Sequence, residues 1–126
     1  MSLYDLAAIA RDVAGDEHHL RAVQLPINLS MSEAVRVSTQ RDPRGRLVHV
    51  VDAAGELGID LVVSAPLLQG QLTHDLPSQV RELFDGPTDA DRALAFARAV
   101  PAVLTVAVGM KSAHHARANL QPLRVA

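Results

Sequence analysis

Apolar positions follow two rhythms along this chain. Leu3, Leu6, Ala7, Ile9, Ala10 and Val13 recur at the spacing of a helix with one buried face, and Gly15-Asp16 supplies a stop. In RAVQLPINL, residues 21–29, the rhythm changes to period two. Val23, Leu25 and Ile27 alternate with Ala22 and Gln24, which predicts a strand. Pro26 weakens its second half, because proline cannot donate to a ladder. Residues 38–46 are polar, contain Pro43 and Gly45, and are expected to form a loop. Over residues 46–58, Leu47, Val50, Val51, Ala54 and Leu57 line one face of an expected helix that Gly58 closes. IDLVVSAP, residues 59–66, is a short apolar run of the kind that is buried on both faces of a sheet. Residues 67–77 read as a long loop and residues 78–84 as a short helix. Thr88 and Asp91 have capping-box spacing, with Asp in place of the usual Glu, and open a helix over residues 88–100. AVLTVAVG, residues 102–109, is a third buried strand, and residues 111–120 are the last helix. The tail LRVA, residues 123–126, is expected to fray.

Strands thus alternate with helices in the order α-β-α-β-α-α-β-α, which implies parallel pairing through crossover helices. The expected fold is α/β, with about three parallel strands and four to five helices. Three parallel strands leave two free edges, whereas parallel sheets normally have both faces covered. The pattern therefore describes a piece of a larger α/β fold, or a chain that completes its sheet with a partner. No fixed-period repeat, low-complexity segment or internal domain boundary is visible, so residues 1–126 are read as a single incomplete domain.

Composition narrows this only slightly. The 126 residues are 48% hydrophobic and 21% charged, a globular balance, and only 2% are aromatic, so the core must be aliphatic. The net charge of −2, with no basic stripe interleaved with aromatics, argues against a nucleic-acid partner. Cysteine is absent, which excludes disulfides and thiolate chemistry and fits a reducing compartment. The first helix lacks the basic start and continuous apolar core of a signal peptide, and no run approaches the ~18 apolar residues of a membrane span. A soluble cytoplasmic protein without membrane contact is expected.

The chemistry-bearing residues collect at strand ends. Gly109-Met110-Lys111-Ser112 joins the third strand to the last helix. It is not a nucleotide-hydrolase phosphate loop, which requires G-x-x-x-x-G-K-[ST]; here Met110 separates Gly109 from Lys111. A glycine lets backbone approach a ligand, Ser112 can cap the helix, and Lys111 adds positive charge, so the junction suits an anion. An ordinary strand-to-helix turn with a serine cap is the plain alternative. The histidine pairs His18-His19 and His114-His115 do not share a helical face, so they make no metal motif. His74-Asp75 in the long loop is either an acid/base pair or a solvated turn. Gln24 inside an apolar strand is an amide in need of hydrogen bonds, from neighbouring backbone or from a ligand, and Asn28 reads as a strand-end residue. APLLQGQL, residues 65–72, follows the second strand at the end where α/β folds bind ligands. Leu67, Leu68 and Leu72 predict that this loop is packed.

Together these pieces resemble the aldo-keto reductase family, from about Leu3 to Leu120. VQLPINL is similar to the family strand V-Q-x-x-Y-N-L, and ELGIDLVVSAPLLQGQL to E-x-G-I-x-V-x-A-Y-S-P-L-x-x-G-x-L. VAVGMKSAHHARANL is similar to the closing segment I-x-G-x-x-x-x-x-x-x-x-x-N-L. The resemblance implies the last three strands of a (β/α)8 TIM barrel and a nicotinamide cofactor, NADPH or NADH. It places Gln24 against the nicotinamide carboxamide and Ser64 where the family stacks a tyrosine on the nicotinamide. Pro66, Leu67 and Gly70 then belong to the loop that follows. Gly109, Met110, Lys111, Ser112, His115 and Asn119 belong to the segment that closes on the adenosine phosphate. Ser64 cannot stack, Ile27 stands for the tyrosine of the Y-N pair, and His115 falls near the arginine that grips a 2′-phosphate. The family's catalytic Asp, Tyr, Lys and His lie in the first half of the barrel, which nothing here matches; Tyr4 precedes the first strand and is not the proton donor.

Hydride transfer needs a positioned acid as well as a cofactor. The expectation is therefore a C-terminal fragment of such an oxidoreductase, inactive alone and marginally stable. The alternative is a non-catalytic assembly module that completes its sheet by self-association or with a separate N-terminal half. A third reading is a small α/β enzyme that uses His74 and Asp75.

Overall fold

The computed structural model describes residues 1–120. The tail expected to fray, residues 123–126, lies outside the described residues.

Helix α1, Leu3–Ala14, begins in a full capping box. The Ser2 hydroxyl accepts from the Asp5 amide at 3.1 Å, while the Ser2 amide donates to the Asp5 carboxylate at 2.8 Å. It ends at Gly15 (φ 66°), followed by a 3-10 turn over Gly15–Glu17. Strand β1 is Ala22–Pro26, and a single-turn helix α2 spans Glu33–Arg36. Strands β2 (Gln40–Arg41) and β3 (Leu47–Val48) form a small antiparallel hairpin. Helix α3 is Val50–Leu57 and strand β4 is Asp60–Ser64; Gly58 links them in the left-handed conformation (φ 63°, ψ 33°). Helices α4, Ser78–Leu83, and α5, Asp89–Ala99, lead to β5, Val103–Val106, and α6, Ala113–Asn119. The expected elements are all present among the described residues. One helix, α2, was not expected, and it brings the described helices to six.

The main sheet is parallel, in the order β1-β4-β5. Leu61 pairs with Val103 but Val62 with Thr105, so Leu104 is an extra residue that bulges β5 outward and is 65% exposed. Leu61 and Val63 on β4 are fully buried. They share one core with Leu3 of α1, Val51, Ala53 and Ala54 of α3, and Ala97 of α5.

Two expectations need correction. The apolar run over residues 59–66 is buried on one face only, and none of residues 102–109 is more than half-buried. In β4, Leu61 and Val63 are buried, whereas Asp60 is exposed and Val62 and Ser64 are half-buried. Among the described residues helices cover a single face of this sheet, so the second face of each strand meets no layer. The second correction concerns residues 38–46, expected as a loop. Gln40 and Arg41 pair with Val48 and Leu47 as the β2–β3 hairpin, and residues 42–46 form its turn. The Asp42 carboxylate organises its turn, accepting from the amides of Arg44 at 2.9 Å and Arg46 at 2.8 Å. Leu47 therefore lies on β3, 53% exposed, rather than on the inner face of α3.

Candidate functional site

The loop after β4 is built, not slack. Leu72 and Leu76 are buried with Ala93 of α5, and Leu67 and Leu68 pack against them. That anchors the loop as its leucines predict. Asp89, the first residue of α5, ties down its far end. Its carboxylate accepts from the Leu76 amide at 3.1 Å, from Arg81 at 3.1 Å and from Arg92 at 3.2 Å. The Leu76 amide is the largest influence holding this carboxyl below its ordinary range; Arg81 and Arg92 act in the same direction against its burial. Within the loop a 3-10 turn over Leu68–Gly70 reverses the chain, and Gly70 takes φ 91°, which favours glycine. The Thr73 hydroxyl donates to the Gly70 carbonyl at 2.7 Å.

This loop forms one wall of a cleft of about 1300 Å³ at the carboxyl ends of β4 and β5. The second wall is residues 85–88 and the start of α5. The third is residues 107–109 with one side of α6. In α/β folds the carboxyl ends of parallel strands are where ligands bind.

Of the residues picked out from the sequence, Pro66, Leu67, Gly70, Gly109, His115 and Asn119 meet in this cleft. A Cβ built on Gly109 would meet nothing within 4 Å, so its bareness leaves open space at the wall. Met110, Lys111 and Ser112 are exposed between two stretches of lining, and Met110 is 50% exposed. Ser112 performs the capping role, its hydroxyl accepting from the His115 amide at 3.2 Å. The Asn119 carbonyl accepts from Arg98 of α5 at 2.7 Å, which holds α6 against the body.

Gln24 and Ser64 do not reach the cleft. Gln24 lies mid-strand on β1, in register with Val62, and Ser64 ends β4 opposite Pro26. Both fall on the face of the sheet that no helix covers among the described residues. Gln24 is exposed, so it is not the buried amide that its apolar neighbours suggested, and its side chain makes no hydrogen bond among the described residues.

His74 and Asp75 are in contact at 3.1 Å, but their side chains are 70% and 95% exposed and neither lines the cleft. Solvent screens such a pair, and it has no pocket in which to act. Among the described residues no group of three or more His, Cys, Asp or Glu is placed to hold a metal. Tyr4 donates to Glu56 of α3 at 2.5 Å on the outer surface, far in role from any strand end. Among the described residues no helix is long and apolar enough to cross a membrane.

Sequence reasoning missed two parts of the site. Residues 85–88 carry no ligand motif; their signal is Gly86-Pro87 set directly before a capping box, and only the path of α5 brings them to the cleft. Asn28, read as a strand end, is completely buried and hydrogen-bonds to the carbonyl of Ala65 at the cleft wall.

A three-stranded parallel sheet, helices on one face only and a cleft at the strands' carboxyl ends define a sector of a (β/α)8 barrel. An aldo-keto reductase from Bacillus halodurans (AKR11C1), solved in its holo form, shares this architecture over 91% of the present chain, with a TM-score of 0.55 and 19% identity. The chain spans 40% of that enzyme's length. At this identity the likeness establishes the fold. No protein-family model matches the sequence, and no curated protein does.

Proposed function

We propose that this chain is the cofactor-wall sector of an NAD(P)H-dependent oxidoreductase of the aldo-keto reductase type, lacking the acid that would complete the reaction. One observation carries the reading: six of the eleven residues assigned to the cofactor by sequence converge on one cleft at the strands' carboxyl ends. The cleft's volume of about 1300 Å³ is ample for a dinucleotide, since drug-sized ligands fill ~300–1,000 Å³. Gly109 leaves room for close approach, and Lys111 beside it forms no ion pair among the described residues. Gln24, outside the cleft, offers an unspent amide that the resemblance assigns to the carboxamide. A bound nicotinamide would supply hydride chemistry. On this reading the residues of this chain would hold and orient the adenosine end and contact the carboxamide, and the proton donor would come from outside it. Activity on an aldehyde or ketone then belongs to a completed barrel, and the reading implies a cytoplasmic setting with its reduced cofactor pool.

Calorimetric titration of the chain with NADPH and with NADH tests this. Weak binding is expected, abolished by Gly109→Trp, which fills the cleft, with no reduction of simple aldehydes. Absence of binding at millimolar cofactor, or binding indifferent to Gly109→Trp, would refute the cleft assignment. Turnover at enzyme-like rates would refute the incomplete site.

A second reading is favoured by the uncovered sheet face and its two free edges, beside which Leu104 stands 65% exposed. In it the chain is an assembly module that completes its sheet with another copy or with a separate N-terminal half. Sedimentation velocity separates the outcomes: a monodisperse dimer that resists dilution supports self-assembly, and a monomer over the whole range excludes it.

A further inference from the structure

We infer that Asn28 is a positioning residue for the cleft; this rests on the cofactor reading above only for the choice of ligand. Asn28 sits on the connection after β1 and is 0% exposed. Its amide spends both ends. The carbonyl oxygen accepts from the amides of Ser30 at 3.0 Å and Met31 at 2.9 Å, closing its own tight turn. The NH2 group reaches across to β4's exit and donates to the Ala65 carbonyl at 2.9 Å. That carbonyl also accepts from the Leu68 amide at 3.0 Å, so it is the node on which the loop turns.

The loop needs such a node. Ala65 (φ 49°), Leu68 (φ 46°) and Gln69 (φ 53°) all occupy the left-handed region. Non-glycine residues hold that conformation only where the surroundings over-determine it. Ala65 and Gln69 line the cleft together with Pro66, Leu67 and Gly70. Asn28 therefore sets the shape of the wall from a position that never touches the cleft. Its donor arm is the part that matters, because the acceptor arm serves only its own turn.

The two arms can be separated chemically. Asn28→Asp keeps both acceptor bonds, so its local turn survives. As a carboxylate it cannot donate to Ala65 and repels that carbonyl; as a carboxylic acid it donates again. Asn28→Ala loses both arms at every pH. The probe is NAD+, whose charge is steady across the range used. Titrated by calorimetry, Asn28→Asp should bind about tenfold more weakly than the wild type at about pH 8, the equivalent of one buried hydrogen bond, and the deficit, taken against the wild type at the same pH, should narrow as the carboxyl is protonated. Asn28→Ala should be weak throughout. Hydrogen exchange of the amides of residues 67–73, measured without ligand at neutral pH, should quicken in both variants.

Wild-type affinity of Asn28→Asp for NAD+ at about pH 8 would overturn the inference, as would unaltered exchange in that loop. Should the wild type bind no NAD+, the cofactor reading falls, and the exchange comparison alone decides the role of Asn28. Should Asn28→Ala fail to fold, Asn28→Asp still carries both measurements.

Discussion

Gly86→Ala tests the wall between α4 and α5. A Cβ on Gly86 would lie 2.7 Å from Asp91 Cβ, 3.2 Å from the Arg92 amide nitrogen and 3.4 Å from the Asp91 carbonyl carbon. Carbon atoms prefer separations of ~3.5–4.0 Å, so the segment must retreat by about 1 Å. Gly86 is outside the left-handed region, so the cost is contact rather than backbone strain. Asp91 cannot yield cheaply. It is 8% exposed, and its carboxylate accepts from the Thr88 amide at 3.0 Å and the Thr88 hydroxyl at 2.5 Å. Its own amide donates to that hydroxyl at 3.2 Å. Overpacking costs ~1–3 kcal/mol and a loosened N-cap ~0.5–2 kcal/mol. One displacement causes both, so the sum is not reached, and about 2–3 kcal/mol of destabilisation is expected. Urea unfolding followed by circular dichroism reads this as a lower midpoint at unchanged slope. The control is Gly109→Ala, whose Cβ meets nothing within 4 Å; it should stay within about 0.5 kcal/mol of the wild type. If the two variants share a midpoint, the close packing of residues 85–88 on α5 is wrong, and with it that wall of the cleft.

Leu61→Ala at the centre of the sheet, where the side chain is 0% exposed, should cost ~2–5 kcal/mol in the same assay. On the acid side, burial alone would raise the Asp42 carboxyl, but hydrogen bonds from the Arg46 side chain and the Arg46 and Arg44 amides outweigh it and lower it; Asp89 is lowered as well. Their stabilising contribution is present above the ordinary carboxyl value and fades as pH falls through the lowered one, so the melting temperature should drop there, and less steeply in Asp42→Asn. On the alkaline side, burial first and then Glu56 push the Tyr4 hydroxyl from 10.0 up to about 12. The neutral, donating form is the favoured one, so its contribution is complete below 10.0 and lost as pH rises towards about 12. A pH scan of the melting temperature of Tyr4→Phe should lack that alkaline loss.

Local signals in the sequence located most elements and six of the residues that line the cleft. Capping pairs work within four residues, so Ser2 with Asp5 and Thr88 with Asp91 mark helix starts wherever those helices pack. Gly58 marks the end of α3 because only a left-handed residue turns the chain there. The leucines at 67, 68 and 72 declared a packed loop, and packing of that loop brings Pro66, Leu67 and Gly70 to the cleft. The β2–β3 hairpin escaped notice because its strands are two residues each, and Leu47 extends the helical spacing of α3 by coincidence. Its real signal was turn chemistry centred on Asp42.

What the sequence determined by itself was the string of elements and the polarity of their ends, since dihedral preference and amphipathic spacing are carried by neighbours along the chain. Tertiary structure alone decided three things. It left β4 buried on one face, because apolar side chains seek cover without specifying a layer, and here helices supply only one. It placed residues 85–88 in one cleft with Gly109 through the path of α5. It also joined Asn28 to Ala65 across 37 positions. A buried amide must find a partner, but only the pairing of β1 with β4 determines which carbonyl comes within reach.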